Sequence, residues 1–178
     1  KLLRYFTQEK RLQESGSMLR DVLQNMSGLS DKWCVLLVQL PPRLEFDLPV
    51  AEAFISDLRK YCHRGIVWEP RHPSWGSADA RQLLVDYRIS KVLADPEPCP
   101  ISKIDRSALE EVRYFRLHGS PEIYKSRYSA ETISRIAQSM TRPVTAAAQT
   151  WCIFDNTTFG FATENAKEIL DLVGDKNY

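Results

Sequence analysis

The stretch Tyr114-Phe115-Arg116-Leu117-His118 is a mainly apolar run that ends on a histidine. Because side chains along a strand alternate between two faces, Arg116 and His118 share one side, and Phe115 and Leu117 share the other. Four further apolar runs end on or near a polar residue. They are Trp33–Leu40 with Gln39 near its end, Ile66–Trp68 before Glu69, Val92–Ala94 before Asp95, and Trp151–Phe154 before Asp155. This repeated ending predicts polar side chains at one edge of a sheet.

Segments with helical spacing of apolar residues separate these runs. The predicted helices cover about residues 12–29, 49–62, 77–87, 129–141 and 162–173, and the predicted strands cover 33–40, 66–69, 90–94, 113–117 and 150–154. Strands that alternate with helices form a parallel sheet covered by helices. Ligands of such sheets bind beyond the carboxyl ends of the strands, so we expect a polar site on that face.

The composition is that of an ordinary globular domain. The chain has 178 residues, of which 43% are hydrophobic and 26% charged, and its formal net charge of +1 gives no overall field that would recruit nucleic acid or a membrane. A local basic patch remains compatible with this balance, and no apolar stretch is long enough to span a bilayer. The four cysteines are scattered without a C-x-x-C pair, which favours reduced thiols and a cytoplasmic protein.

Strand counting alone leaves two α/β folds open. Five parallel strands in 178 residues fit a flavodoxin-like sandwich. They equally fit the last five βα units of an eight-stranded (β/α) barrel, since a whole TIM barrel needs about 250 residues.

Several segments resemble the DUF72 family, also called YecE-like, whose function is unknown. The matching segments are Gln39-Leu40-Pro41-Pro42, Glu69-Pro70-Arg71-His72-Pro73-Ser74-Trp75, Arg116-Leu117-His118-Gly119, Tyr124 and Tyr128, Phe154-Asp155-Asn156-Thr157, and Ala162 with Asn165-Ala166. The resemblance implies a TIM-barrel-like fold, with residues 1–178 as a single domain that lacks roughly the N-terminal third of the barrel. It also implies that Asp155 stands where the family usually has Asn, which adds a negative charge to the predicted site.

The ionisable residues at the strand ends are the candidates for catalysis, namely Glu69, Asp95 and His118. If the large apolar residues pack against helices, then Glu69, Arg116 and His118 point into the barrel. An uncompensated charge there is costly, so we expect Arg116 to pair with a carboxylate, Glu69 first and Asp95 second. Such a carboxylate acts as a base or ligand anchor, or else the ion pair only fixes strand register.

Other side chains near the strand ends are candidates for substrate binding. They are Gln39, Arg71, His72, Trp75, Arg116, Tyr124, Tyr128, Asp155 and Asn156. Structural roles are the alternative: His72 would fix its loop by one hydrogen bond, and Trp75 would pack rather than stack on a sugar or base. Tyr124 and Tyr128 lie on one side if their segment is helical.

Phosphate is the ligand that the loops after the last two predicted strands favour. These loops carry Lys125, Arg127, Asn156, Thr157, Thr158 and Gly160, and the last helix begins beside them. The free N–H groups of a helix N-terminus attract anions, and barrels often hold phosphate at this position.

The predicted function is therefore a hydrolase with a polar, phosphate-tolerant site at the carboxyl-terminal mouth of the barrel. A non-catalytic ligand-binding or scaffold protein, and a metal-dependent phosphodiesterase resembling the barrel endonucleases, are the alternatives. The carboxylates and histidines suit Mn²⁺, Fe²⁺ or Zn²⁺ but lack close ligand spacing, so no metal or cofactor is assigned. We expect a small-molecule or phosphate-containing ligand, leave nucleic acid open, and expect Glu69, Asp95, His118 and Asp155 to gather around one opening.

Overall fold

The computed structural model describes residues 1–13, 16–98, 112–141 and 149–174. The chain divides into two compact units. The first unit comprises Lys1–Lys91 with Pro98–Val112, and the second comprises Val92–Glu97 with Arg113–Tyr178. Cys99 lies outside the described residues.

Within its described residues, the first unit contains a three-stranded parallel sheet and three α-helices. Its strands are β1 (Val35–Gln39), β2 (Gly65–Glu69) and β3 (Ser90–Lys91), in that spatial order, and its helices are α1 (Gly16–Ser27), α2 (Leu48–Tyr61) and α3 (Ala78–Asp86). The side chains of Asp47 and Ser77 accept hydrogen bonds from backbone N–H groups in the first turns of α2 and α3. These caps explain why the two helices begin where they do.

Alternate residues of β1 and β2 build the core of the first unit. Leu36 and Val38 of β1, and Ile66 and Trp68 of β2, belong to one buried cluster with apolar residues of the three helices. Gln39 and Glu69 are opposite each other in the strand register and lie on the other face. The face assignment of these strands from sequence is therefore confirmed.

The described part of the second unit contains a three-stranded sheet and two α-helices. Its strands are β4 (Leu93–Asp95), β5 (Val112–Leu117) and β6 (Gln149–Phe154), again in chain order in the sheet, and its helices are α4 (Ala130–Met140) and α5 (Phe161–Gly174). Strands β4 and β5 are parallel. The buried cluster of this unit joins Phe115 and Leu117 of β5 to Ile133, Ala137 and Ile169 of the helices.

The predicted strand over residues 90–94 is wrong in one respect, because it is two short strands. β3 pairs with β2 in the first sheet, and β4 pairs with β5 in the second. Val92 between them belongs to neither strand and is 1% exposed. Valine is itself a residue that favours strands, so the apolar run carries no signal of the break.

The protein is thus a mixed α/β chain with parallel sheets, which both predicted folds have in common. Five helices and the strands between them lie within a few residues of the predicted positions. Among the helices that the structure describes, none is both long and apolar enough to cross a membrane.

Candidate functional site

Three ionisable residues lie at the carboxyl ends of β5 and β6. Arg116 is the next-to-last residue of β5. His118 directly follows β5, and Asp155 directly follows β6. The backbone N–H of Asp155 donates to the carbonyl of Leu117 (2.8 Å), and that of His118 donates to the carbonyl of Asp95 (2.9 Å). These two bonds continue the sheet past its last ladder residues and hold the ends of three strands together.

The side chains of the three residues meet at one carboxylate oxygen. Arg116 Nη2 hydrogen-bonds Asp155 Oδ2, and His118 Nδ1 lies 3.2 Å from the same oxygen. The side chains of His118, Arg116 and Asp155 are 8%, 13% and 26% exposed, so the cluster is largely removed from water yet open at Asp155. Charged groups interact more strongly in such a site than at the surface.

The pKa of Asp155 is lowered below its usual value. Burial acts to raise the pKa, but the neighbouring His118 and the charge of Arg116 outweigh it. The carboxylate is therefore ionised at neutral pH, and it lies 3.2 Å from His118 Nδ1. A carboxylate at this distance is able to orient an imidazole for proton transfer through its other ring nitrogen, Nε2.

Within the second unit, Arg116 pairs with Asp155, a carboxylate that our sequence analysis placed among the binding residues and did not weigh as a partner. The Tyr128 hydroxyl donates to the carbonyl of Asp95. The pairing of Arg116 with Glu69 or Asp95 stays a prediction. Alternation along the strand places Arg116 on the same face as His118, but its meeting with the residue after β6 depends on the order of strands in the sheet, which alternation does not give.

Tyr124 lies in a turn and not in a helix. Its φ angle is 68°, its backbone N–H donates to the carbonyl of His118, and its side chain is 47% exposed. The Tyr124 and His118 rings are 5.8 Å apart and nearly perpendicular, at 87°. Tyr128 is buried, so the two tyrosines do not share a face as the helical alternative predicted.

Tyr128 braces the loop that follows β5. Its hydroxyl accepts a hydrogen bond from the Gly119 N–H (2.8 Å) and donates to the carbonyl of Asp95 (3.3 Å). Burial, and secondarily the nearby Asp95, raises the pKa of this hydroxyl well above its ordinary range. These contacts give Tyr128 a structural role in the loop, and its part in ligand binding stays a prediction.

Asn156 and Asn165 form a buried amide pair that connects the loop to α5. Asn156 Nδ2 donates to the carbonyl of Ser126 and to Asn165 Oδ1, both at 3.0 Å. Asn165 in turn contacts both backbone polar groups of Tyr128. Both asparagines are fully buried, so Asn156 braces the site instead of lining it. The only sequence signal for Asn165 is a polar residue amid the apolar positions of a helix.

The cations expected to favour phosphate are paired with carboxylates. Lys125 Nζ lies 3.4 Å from Glu122, and Arg127 contacts both Glu164 (3.4 Å) and Glu168. Glu164 is in the first turn of α5, where a bound anion would sit. The charges of this region therefore favour phosphate less than the sequence suggested.

A second polar cluster belongs to the first unit. Glu69 at the end of β2 is 2% exposed, and both of its carboxylate oxygens accept from Gln39 Nε2 at 2.9 Å. Arg71 Nη2 lies 3.2 Å from Glu69 Oε1. The structure thus gathers three of the predicted site residues, Gln39, Glu69 and Arg71, within the first unit.

His72 and Trp75 serve the fold of the first unit. His72 Nδ1 lies 2.9 Å from Ser74 Oγ and accepts from the Ser74 N–H, which is the loop-fixing role predicted as an alternative. Trp75 is 2% exposed, donates to the carbonyl of Leu44 (2.9 Å) and packs on Trp68 with ring centres 5.5 Å apart. A ring buried to this degree cannot stack on a sugar or base, so the packing role replaces the binding role.

Metal ligands are not grouped in the part of the chain that the structure describes. No set of three His, Cys, Asp or Glu side chains there is arranged to hold an ion. The arrangement of His118 with Asp155 and Arg116 instead suits proton transfer.

Parallel sheets with polar side chains after their strands define an α/β protein of the kind that places its site at the strand carboxyl ends. The chain belongs to the DUF72 family, described as proteins of unknown function, whose family model matches residues 1–178. No curated protein matches the chain.

Solved structures of the family have the same fold. A DUF72 family protein from Thermotoga maritima MSB8 superposes with a TM-score of 0.78 at 20% identity, over 97% of this chain and 71% of that one. Two structures of a DUF72 family protein from Enterococcus faecalis V583 each give a TM-score of 0.72 over 93% of this chain, at 18% and 20% identity, and cover 68% and 72% of those chains. At such identities the similarity shows the fold alone.

Proposed function

We propose that the protein is a hydrolase whose acid–base centre is His118, oriented by Asp155. The observation that carries the proposal is the 3.2 Å approach of His118 Nδ1 to a carboxylate whose pKa is lowered. Arg116 keeps that carboxylate charged. A histidine held by an ionised aspartate is the group that most often removes a proton from water or a hydroxyl nucleophile.

The roles of the three residues follow from their contacts. His118 takes the proton of the attacking group through Nε2 and returns it to the leaving group. Asp155 fixes the tautomer and stabilises the imidazolium that forms, while Arg116 positions Asp155. Asp95 contributes a backbone carbonyl that accepts from His118, so it is a positioning residue in this scheme.

Glu69, the carboxylate of the cluster in the first unit, is a further candidate for the site. Glu69 is buried, and Gln39 and Arg71 hold it in place. A carboxylate fixed in this way is able to anchor a ligand group, and the alternative is that it only fixes the register of β1 and β2. We retain Glu69 as a catalytic candidate of lower rank than His118.

We also propose that the chain is a single domain forming the last five βα units of a TIM-barrel-like fold. The parallel sheets, the helices between their strands and the similarity to DUF72 structures support this. In barrels the carboxyl ends of the strands bear the active site, and His118 and Asp155 directly follow β5 and β6. We propose the cytoplasm as its location, which the free thiols of Cys34, Cys62 and Cys152 support.

We do not propose a phosphate group in the substrate. The basic side chains near α5 are matched by carboxylates, and the described residues offer no metal ligand set. A metal-dependent phosphodiesterase therefore has less support than hydrolysis driven by His118.

A substitution of the histidine tests the proposal. The purified protein is assayed on p-nitrophenyl esters, phosphates and glycosides, and His118→Gln is expected to lower kcat at least about 100-fold without loss of helical circular dichroism. The control is His63→Gln, which changes an exposed histidine of the first unit and should leave turnover unchanged. A folded His118→Gln variant with wild-type turnover would contradict the proposal. Absence of cleavage of all three probes, with ligand-induced shifts in melting temperature, would favour a binding protein.

A further inference from the structure

Ser74 and His72 form a close polar pair in the loop that follows β2. Ser74 Oγ lies 2.9 Å from His72 Nδ1. The pair lies just beyond the carboxyl end of a parallel strand, where α/β proteins place their sites. Ser74 is half-buried and the His72 side chain is 30% exposed, so both groups remain accessible to a small reagent.

Neighbouring backbone groups fix the direction of the hydrogen bond between the two side chains. The Ser74 N–H donates to His72 Nδ1 (3.3 Å), so this ring nitrogen carries no proton in the neutral imidazole. The Phe46 N–H donates to Ser74 Oγ (2.8 Å), which leaves the hydroxyl proton free to be donated elsewhere. The Ser74 hydroxyl therefore donates to Nδ1, which is the direction that proton removal by a base requires.

The opposite side of the imidazole faces a carboxylate. With Nδ1 unprotonated, the ring proton is on Nε2, and Nε2 lies 4.0 Å from Glu45 Oε1. Glu45 is 77% exposed, so its effect is small, but its charge favours the imidazolium that forms when His72 accepts a proton. Hydroxyl, imidazole and carboxylate thus follow one another in the order of a nucleophilic triad.

The fold of the loop does not require an imidazole at position 72. His72 caps the short 3₁₀ helix Pro73–Gly76, and a cap needs only an acceptor for the Ser74 N–H. Asparagine and aspartate are the residues preferred for that task. Histidine supplies, in addition, a base that a cap does not use.

We propose that Ser74 is a nucleophile activated by His72, in a second centre that takes carboxylic esters. Ser74 Oγ bonds to the ester carbonyl carbon while its proton passes to His72 Nδ1, and the alcohol leaves with that proton as the ester C–O bond breaks. Water then attacks the acyl-serine, and His72 transfers the proton of the water to Ser74 Oγ as the acid is released. This centre goes beyond the proposed role of His118 and does not depend on it.

An alkyl fluorophosphonate tests the nucleophile, because it leaves a stable adduct on an activated serine. Oγ bonds to phosphorus, fluoride leaves, and the hydroxyl proton passes to His72. Peptide mass spectrometry of the wild type compares Ser74 with Ser27, an exposed serine whose hydroxyl donates to the carbonyl of Gln24. We expect Ser74 to react at least about 100-fold faster, and this comparison needs no variant to fold.

His72→Asn separates the base from the cap. The asparagine side chain retains an acceptor for the Ser74 N–H but is unable to take a proton. We expect adduct formation to fall at least about 100-fold while the urea unfolding midpoint is unchanged. The proposal is overturned if Ser74 is not modified in the wild type, if Ser27 reacts as fast, or if His72→Asn reacts at the wild-type rate.

The ester is tested with p-nitrophenyl acetate, whose good leaving group makes acylation faster than deacylation. We expect a burst of nitrophenolate that is absent in Ser74→Ala and retained in His118→Gln. A wild type without a burst contradicts the ester as substrate. Turnover that depends on His118 without modification of Ser74 contradicts only the second centre, whereas modification of Ser74 with wild-type turnover in His118→Gln contradicts only the proposed role of His118.

Discussion

Asp155 is the residue through which Arg116 and His118 are connected. It accepts from Arg116 and approaches His118 with the same oxygen, Oδ2. The family resemblance implies Asn at this position, and an amide oxygen would keep the hydrogen-bond geometry without the charge. In the proposed mechanism, the negative charge of this carboxylate is what allows His118 to act as a base.

The lowered pKa of Asp155 predicts a specific dependence of stability on pH. Because the pKa is lower in the folded than in the unfolded protein, the ionised carboxylate stabilises the fold fully above its unfolded value of about 3.9. This contribution is lost as the pH falls through the folded value. We expect Asp155→Asn to cost about 1 kcal/mol at pH 7, a modest figure because the pair is partly exposed, and to cost less toward pH 3. Urea unfolding at several pH values measures this difference.

A constant difference between the two proteins from pH 7 to pH 3 would contradict the prediction. Asp79→Asn is a suitable control, because Asp79 is an exposed residue in the first turn of α3.

At the scale of elements, the loop from β5 to α4 is the part that sequence predicted least well. Alternation within β5 correctly placed Phe115 and Leu117 in the core and His118 on the opposite face. The residues after His118 have no such period. Their structure depends on contacts with Asn156 and Asn165, which are distant in sequence and whose pairing no local pattern contains.

Gly119 is the position on which this loop depends most. Its φ is 97°, and an added Cβ would lie 3.1 Å from the carbonyl oxygens of Glu122 and Ser126. Gly119→Ala therefore combines backbone strain of about 1 kcal/mol with crowding against backbone, and we expect a total loss of about 2 kcal/mol or more. Gly160→Ala is the control, since Gly160 has φ of 83° but nothing within 4 Å of the added Cβ.

Urea denaturation of both variants isolates the steric part of the cost. Equal losses of stability in Gly119→Ala and Gly160→Ala would contradict the prediction. They would mean that the loop shifts to accommodate the added Cβ and does not hold His118 rigidly.

On the scale of the whole molecule, charge balance limits the partners that the protein accepts. The chain has 24 Lys and Arg residues against 23 Asp and Glu. Arg127, one of the cations expected to favour phosphate, contacts Glu164 and Glu168. Affinity for DNA without sequence preference comes mainly from cations that displace counterions from phosphates. Because carboxylates nearly equal the cations in number, few cations are available to bind phosphates.

We therefore predict weak binding to duplex DNA, with a dissociation constant no tighter than about 10⁻⁴ M in 150 mM salt and a shallow dependence on salt. Fluorescence anisotropy with a labelled duplex measures both quantities. Replacing Glu164 and Glu168 by Gln removes two negative charges and frees Arg127 from its carboxylates, so binding should become tighter and its salt dependence steeper. Tight, strongly salt-dependent binding by the wild type would instead show a concentrated basic surface, and would favour the phosphodiesterase alternative. The local pairing of Arg127 argues for the weaker result, because a phosphate would have to compete with two carboxylates for one guanidinium.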